Sequence, residues 1–187
     1  MDNLSPKPCV FFDRDGIVNV APSPEEYYVL SVDRFFLIPA FIDALRIVRA
    51  RGYAAVIVTN QKSVYRGLIT MEGLDEIHQH LREALEKAGL SLDDIYVSPH
   101  GDDDHPERKP NPGMLLRAAN EHQLDLSRSW MIGDSERDVI AGRRAGCPVN
   151  ILVKDSHDDT DADYRLLGME ELPGFFEEHL PHLQTQE

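Results

Sequence analysis

Short apolar segments of strand length alternate along this chain with longer segments in which apolar residues recur at helical spacing. The first three are an apolar segment at residues 9–13, a helical pattern at 40–50 and a second apolar segment at 54–58. A strand followed by a helix and another strand forms a parallel pair through a crossover connection. The alternation therefore predicts an α/β fold, a Rossmann-like doubly wound parallel sheet with helices on both faces.

The same alternation continues to the end of the chain. Thr70 is the predicted N-cap of a helix that runs to residue 88 and is closed by Gly89. Asn111 and Pro112 are predicted to begin a helix that ends at residue 122. The remaining predicted elements are strands at 95–97, 130–132 and 149–153, a helix that ends at residue 145 before Gly146, and a helix near 170–179.

Length and charge limit the classes of function. With 187 residues and no long linker, the chain is predicted to form one domain over residues 1–187. Its formal net charge of −14 disfavours nucleic acid and anionic membranes as partners, because both require a basic surface. No segment approaches the ~20 apolar residues of a membrane span, and residues 1–8 lack the apolar core of a signal peptide. Cys9 and Cys147 border apolar segments, so we expect reduced thiols and a cytoplasmic protein. A monomer is also expected.

Polar side chains follow four of the predicted strands. In chain order they are Asp13 and Asp15, Thr59 and Asn60, His100, and Asp134. Because the carboxyl ends of parallel strands share one edge of the sheet, where such sheets bind ligands, we expect these side chains to converge. An Asp-x-Asp pattern alone is weak evidence, since it recurs in the loops at 102–104 and 159–163.

The converging residues suit a magnesium ion and a phosphate group. Asp13 and Asp134 offer the hard oxygens that Mg²⁺ prefers, whereas Thr59 and Asn60 offer a hydroxyl, an amide and loop N–H groups to phosphate oxygens. Lys109, just before a predicted helix, supplies a fixed cation. A carboxylate that attacks a phosphate dianion is repelled by about 4 kcal/mol for unit charges at ~4 Å and an effective dielectric of 20, so nearby cations are needed.

Four motifs occur in a fixed order between residues 10 and 153. They are Asp13-x-Asp15-Gly16, Thr59-Asn60, Lys109 before a helix, and Gly133-Asp134-x-x-x-Asp138. In this order and spacing they resemble the haloacid dehalogenase (HAD) superfamily of phosphotransferases; the alternative is an α/β domain that carries these acids by coincidence. The resemblance implies a HAD-like fold and a Mg²⁺-dependent phosphoric monoester hydrolase that acts through an aspartyl-phosphate.

The resemblance also implies a role for each matching residue. Asp13 would be the nucleophile, Asp15 the general acid and then the base that activates water, and Lys109 a stabiliser of the phosphoryl group. Mg²⁺ would be held by Asp13, the backbone carbonyl of Asp15 and Asp134. Asp138 would anchor the loop or Lys109 rather than bind the metal. The transferring phosphoryl group would be held by Thr59, Asn60 and Gln61.

Finer motifs resemble the D-glycero-D-manno-heptose 1,7-bisphosphate 7-phosphatases and the related histidinol-phosphate phosphatases. They are Asp13-Arg14-Asp15-Gly16-x-x-Asn19, Thr59-Asn60-Gln61-x-x-x-x-Arg66-Gly67 and Arg108-Lys109-Pro110-x-Pro112-Gly113-Met114. Neither interval that could hold a cap, 15–59 or 60–109, has room for a large one, so the site is expected to be open. Arg66 and Arg108 are then candidates to bind a second phosphate or a sugar. The expected substrate is heptose bisphosphate, with histidinol phosphate or another small phosphorylated metabolite as the alternative.

Two stretches depart from the pattern of that family. Its members often carry a zinc loop of three cysteines and one histidine before the Arg-Lys pair, whereas this chain has Ser98, His100, His105 and Glu107 in that stretch. Structural zinc usually requires thiolates, so no structural zinc is expected. The Ala-Pro-Ser-Pro sequence at 21–24 replaces a polar, glycine-containing stretch near the sugar, which leaves the specific substrate open.

Two other classes of function share parts of this pattern. A receiver domain of signalling proteins also combines an acceptor aspartate, Mg²⁺, a threonine and a lysine on a doubly wound sheet. Receivers are shorter, however, and carry the acceptor on a middle strand, and Asp15 favours turnover over storage of the phosphate. A nucleic-acid 3′-phosphatase is the second alternative, which the acidic charge argues against.

Overall fold

A computed structural model describes residues 6–183, in which six parallel strands form one sheet in the order β3-β2-β1-β4-β5-β6. The strands are β1 (Cys9–Phe12), β2 (Ala54–Asn60), β3 (Asp94–Ser98), β4 (Trp130–Gly133), β5 (Val149–Val153) and β6 (Tyr164–Leu166). The helices are α1 (Pro39–Ala50), α2 (Lys62–Tyr65), α3 (Met71–Lys87), α4 (Gly113–His122), α5 (Glu136–Ala145) and α6 (Leu172–His179). The predicted doubly wound α/β class is confirmed.

Successive side chains of β1 enter two different cores, as the two-residue period of a strand requires. Val10 and Phe12 pack with apolar side chains of α1, α3 and α6 on one face of the sheet. Cys9 and Phe11 pack with side chains of α4 and α5 on the other face. All four are fully buried, as expected of a parallel strand covered by helices on both sides. Within residues 6–183, no helix has the length and apolar character of a membrane span.

Local capping signals begin α3 at Thr70 and end α5 at Gly146, as predicted, and the structure adds a cap at the start of α5 that was not predicted. The Thr70 side chain accepts a hydrogen bond from the backbone N–H of Gly73 at 3.1 Å and begins α3. Ser135 and Asp138 form a reciprocal capping box at the start of α5. Gly146 ends α5 with a φ of 96°, a left-handed conformation that costs a glycine little. The start of α3 and both ends of α5 are therefore determined by local sequence.

Other boundaries differ from the prediction. Asn111 does not cap α4, which begins at Gly113; its side-chain amide instead donates to the carbonyl oxygens of Asp103 and His105, at 3.1 Å each. The short helix α2 and the edge strand β6 were not predicted from the sequence. Neither is long enough to show a clear apolar period. Residues 1–5, part of the segment that lacks the apolar core of a signal peptide, lie outside the described residues.

The order of the strands places the ends of β1 and β4 side by side. From β1 at the centre, β2 and β3 are added on one side of the sheet. The chain then crosses to the other side of β1, where β4, β5 and β6 follow. The two central strands pair in register from Val10 with Trp130 to Phe12 with Ile132. Doubly wound sheets bind ligands at the point where the strand order reverses. The segment between β1 and β2 adds loops, one short 3-10 turn and α1, and the segment between β2 and β3 adds only the short α2 and α3, so this edge has no cap domain.

Candidate active site

Three carboxylates meet at the carboxyl ends of β1 and β4. Asp13, Asp134 and Asp138 each place an oxygen atom within 4.8 Å of the others. The backbone N–H of Asp13 donates to the carbonyl oxygen of Ile132 at 2.9 Å, which continues the pairing of β1 with β4 and fixes the first acid beside the second. The fold thus brings Asp13 and Asp134 together, as predicted.

The close approach of two loops explains the glycine in the Asp-x-Asp-Gly motif. Gly16 has a φ of +86°, and a Cβ atom at this position would lie 2.4 Å from Oδ2 of Asp134. Any side chain would therefore strain the backbone and displace a carboxylate. Gly16 lets the loop after β1 pass against the acid that follows β4.

Lys109 lies at the centre of the carboxylates. Its ammonium group donates to Oδ1 of Asp13 at 2.6 Å and to the carbonyl oxygen of Val58 at 2.7 Å. It also forms a salt bridge of 2.7 Å with Oδ1 of Asp138. The side chain is 2% exposed, so these contacts replace its hydration completely. Both acids raise the pKa of Lys109 even though burial opposes them, and the lysine stays charged.

Asn60 holds the main chain of Lys109 in place. Its Nδ2 donates to the carbonyl oxygen of Lys109 at 2.9 Å, and its Oδ1 accepts a hydrogen bond from the Lys109 N–H at 3.0 Å. The assignment of the Asn60 side chain to phosphate stays a prediction, because its Oδ1 and one Nδ2 hydrogen are bound to the N–H and the carbonyl oxygen of Lys109. The Asn60 amide therefore positions the lysine, whereas Thr59 and Asn60 both remain in the lining of the cavity described below.

The acids carry more negative charge than Lys109 alone compensates. Burial raises the pKa of Asp13 to about 8, and the carboxylates of Asp138 and Asp134 add to the rise while Lys109 opposes it. Burial and Asp138 likewise raise the pKa of Asp134 to about 6. A divalent cation would remove this repulsion, and carboxylate oxygens are the donors that Mg²⁺ prefers. The donor set fits a magnesium ion.

Asp15 lies apart from this cluster and is held by hydrogen-bond donors. Arg14 Nη2 contacts both of its oxygens, at 2.9 and 3.0 Å, Asn19 donates at 2.9 Å and Gln61 at 3.0 Å. Burial by itself would raise the pKa of Asp15, but Arg14, Asn19 and Gln61 together lower it. The fully buried Arg14, which also reaches His78 at 3.5 Å, was missed by sequence reasoning. A charged residue between two acids at the end of an apolar strand is the signal that could have identified it.

Gln61 connects two site residues. Its Nε2 donates to Asp15 and to the hydroxyl of Thr59, at 3.0 and 2.9 Å, and the residue is 2% exposed. Its assignment as a phosphate ligand stays a prediction, because the geometry uses its amide to orient its two neighbours.

An open cavity of ≈ 390 Å³ lies above the acids. Its lining comprises Asp13, Asp15, Ala21, Pro22, Ser23, Pro24, Tyr27, Thr59, Asn60, Lys109, Asp134, Ser135, Arg137 and Asp138. The two arginines predicted to bind substrate, Arg66 and Arg108, are not part of this lining. Tyr27 and Arg137 are, and neither was identified from the sequence.

Arg108 points into its own loop. The side chain is 5% exposed and donates from Nε to the Asp103 carboxylate at 2.8 Å and from Nη1 to the His100 carbonyl oxygen at 3.1 Å. Arg66 is exposed, with its guanidinium 5.7 Å from the ring centre of Tyr28. The expected convergence of four strand ends is likewise incomplete, because His100 lines a different cavity of ≈ 590 Å³ beside α3.

The stretch that replaces a zinc loop is held by other contacts. The rings of His100 and His105 stack with centroids 3.3 Å apart, and Nδ1 of His105 accepts a hydrogen bond from the Glu107 N–H at 3.2 Å. The Glu107 carboxylate pairs with Arg117 at 3.0 Å. His105 Nδ1 and the Glu107 carboxylate, two of the groups that could have offered metal ligands, therefore already have protein partners.

Comparison with known proteins agrees with this geometry. The family model described as haloacid dehalogenase-like hydrolase matches residues 8–146. The D-glycero-beta-D-manno-heptose-1,7-bisphosphate 7-phosphatase of Yersinia pestis is 36% identical over 183 residues, covering 89% of this chain and 93% of the relative. The protein of the same name from Escherichia coli strain K12 is 34% identical, with coverage of 89% and 92%.

A solved structure shares the fold. The D,D-heptose 1,7-bisphosphate phosphatase from B. bronchiseptica, complexed with magnesium and phosphate, superposes with a TM-score of 0.80 at 28% identity, covering 91% of this chain and 98% of that chain. Because the family model spans most of the chain and every member of the aspartate cluster, this protein belongs to the haloacid dehalogenase-like hydrolases.

Proposed function

We propose that this protein is a Mg²⁺-dependent phosphatase that removes the 7-phosphate of D-glycero-D-manno-heptose 1,7-bisphosphate through an aspartyl-phosphate on Asp13. The observation that carries the proposal is the environment of that carboxylate. Lys109 binds its Oδ1, whereas within residues 6–183 no hydrogen bond reaches its Oδ2, and the residue lines the open cavity. One oxygen is thus held by a cation while the other is available for attack. The names of relatives at 34–36% identity support the choice of sugar.

The reaction proceeds in two steps at this site. In the first, Oδ2 of Asp13 forms a bond to phosphorus while the bond from phosphorus to the sugar oxygen breaks, and Asp15, which takes up a proton in the substrate complex, gives that proton to the leaving oxygen. In the second, Asp15 takes a proton from water, which attacks the aspartyl-phosphate and releases phosphate. Arg14 and Gln61 hold the Asp15 carboxylate in one orientation throughout, and Lys109 balances charge on the transferring group.

Asp13, Asp134 and the backbone carbonyl of Asp15 would hold the magnesium ion. When bound, it supplies positive charge next to the phosphoryl oxygens and lowers the repulsion between two anions. Asp138 serves a different purpose, because its carboxylate pairs with Lys109 and also accepts a hydrogen bond from the Ser135 N–H at 3.1 Å. It anchors both the lysine and the start of α5.

The loop at 98–107 is proposed to need no zinc, and Arg108 is proposed to have a structural role within it. The Arg108–Asp103 pair and the stacked histidines close the loop without thiolates. A metal is therefore not required to order this segment.

The nucleophile is tested with Asp13→Asn and the matched variant Asp43→Asn, which changes an exposed aspartate on α1. Asp13→Asn should abolish turnover and leave no acid-stable, base-labile phosphate on the protein, whereas Asp43→Asn should keep the wild-type rate. Excess EDTA should stop the wild-type enzyme and Mg²⁺ should restore it. Turnover by Asp13→Asn freed of wild-type contamination, or full activity in EDTA, would refute the proposal.

The substrate is tested with a panel of phosphorylated metabolites that includes heptose bisphosphate, histidinol phosphate and an aryl phosphate. We expect the highest kcat/KM for heptose bisphosphate and a phosphoprotein that hydrolyses within the turnover time. A phosphoprotein that persists for minutes without turnover would instead indicate a receiver. A higher kcat/KM for histidinol phosphate would support the phosphatase reaction but indicate a different substrate.

A further inference from the structure

We propose that Arg137 and Tyr27 form a leaving-group subsite, in which Arg137 binds a second anionic group of the substrate and the ring of Tyr27 covers its sugar. This inference rests on the proposed function, since it concerns the part of the substrate that remains after the phosphoryl group has been transferred. Both residues line the cavity above Asp13.

Arg137 is an available cation at the cavity. It lies in the first turn of α5, and its backbone N–H is the group that contacts the cap residue Ser135. Its side chain is exposed and forms no hydrogen bond or salt bridge with any residue in the 6–183 range. In the described lining of the cavity the other cation is Lys109, which is already paired with two aspartates.

The cavity has few positive charges available for a second phosphate. The lining holds four carboxylates and these two cations, in a protein of net charge −14. Magnesium and Lys109 are committed to the transferring phosphoryl group, so a second phosphate on the same substrate needs another positive partner. An arginine fork can bind such a group bidentately. Arg108 cannot do so from its present position, because its guanidinium is bound by Asp103 and a carbonyl oxygen.

Tyr27 is held in a conformation that bulky residues avoid. Its φ is 58°, in the left-handed region, and its backbone N–H donates to the carbonyl oxygen of Ser23 at 3.0 Å. The side chain is 72% exposed, so burial of its ring does not compensate the strain. An exposed aromatic ring kept in a strained turn beside a catalytic cavity indicates a ligand-binding role.

The arginine is tested by comparing Arg137→Gln with Arg46→Gln, a charge-matched change on α1, where the exposed Arg46 pairs with Asp43. The readout is the ratio of kcat/KM for heptose bisphosphate to kcat/KM for an aryl phosphate, and the same ratio with heptose 7-phosphate in place of the bisphosphate. Arg137→Gln should lower the bisphosphate ratio by about 10-fold or more, the loss of one charge-assisted contact. The heptose 7-phosphate ratio should change much less, and Arg46→Gln should keep both ratios.

The tyrosine is tested by comparing Tyr27→Gly with Gln123→Gly. Gln123 is the other described non-glycine residue with a positive φ, 52°, and it lies at the end of α4 outside the cavity lining. Both changes relieve strain and should raise Tm. Tyr27→Gly should also lower kcat/KM for the sugar phosphates relative to the aryl phosphate, whereas Gln123→Gly should not.

Wild-type activity distinguishes failure of this subsite from failure of the proposed function. If wild-type protein hydrolyses none of the three phosphates, the proposed function is wrong. If it hydrolyses them and Arg137→Gln lowers all three equally, or lowers none, Arg137 does not bind a second anion. If Tyr27→Gly gains stability without losing preference for the sugar, the turn is not a binding device.

Discussion

Replacement of Lys109 by methionine tests the electrostatic balance of the site. The variant keeps most of the side-chain volume but removes the cation from between Asp13 and Asp138, whose oxygens lie 2.6 and 2.7 Å from it. It also leaves the carbonyl oxygen of Val58 without this donor. Since the lysine is 2% exposed, water does not replace these contacts without rearrangement of the site.

The structure sets the size of the effect. Breaking a buried ion pair by removing one partner costs about 3–5 kcal/mol, because the other partner stays buried and unpaired. For a chain of this length, each kcal/mol lowers Tm by about 2–4 °C, so the expected loss is roughly 6–20 °C. Removal of one preorganised charge from a phosphoryl-transfer site should also lower kcat by about 10²–10³.

Thermal unfolding followed by circular dichroism measures the first quantity, and hydrolysis of an aryl phosphate below Tm measures the second. Lys87→Met, at the exposed end of α3, is the control. It should change the free energy of unfolding by no more than about 0.5 kcal/mol and leave kcat unchanged. The double variant Lys109→Met/Asp138→Asn should recover part of the lost Tm, because one unpaired carboxylate is removed with the lysine. A Lys109→Met protein with wild-type Tm would refute the account of a lysine that neutralises buried acids.

Three further outcomes concern the surrounding structure. Gly16→Ala should raise the Mg²⁺ concentration needed for half-maximal activity, because the new Cβ would lie 2.4 Å from the Asp134 carboxylate, and an unchanged requirement would contradict that geometry. Arg51→Met should lower the free energy of unfolding by about 1–3 kcal/mol with kcat retained, because its buried guanidinium donates to the last carbonyl groups of α6; a loss of kcat at temperatures well below Tm would argue against a purely structural role. Metal analysis of protein purified without added zinc should find far less than one zinc per chain, whereas one equivalent that survives dialysis would show that the 98–107 loop binds metal.

The sequence alone determined the architecture and the chemical core of the site. Alternating strand and helix patterns specify a parallel sheet, and a parallel sheet places all carboxyl ends of its strands at one edge. Asp13 and Asp134 follow strands directly, so their positions depend on the backbone more than on side-chain packing. The caps of α3 and α5 are local as well, since each joins residues at most three apart.

Only the tertiary structure decided which groups the polar side chains of the site bind. Asn60 and Gln61 lie in the predicted phosphate motif, yet one holds Lys109, 49 residues away, and the other holds Asp15, 46 residues away. Arg108 turns to Asp103 inside an irregular loop, whereas Arg137 lines the cavity. A motif fixes where a side chain leaves the backbone, but its direction is set by the hydrogen-bond partners that folding brings to it. Those partners are distant in sequence or lie in loops without a period, so spacing alone does not encode them.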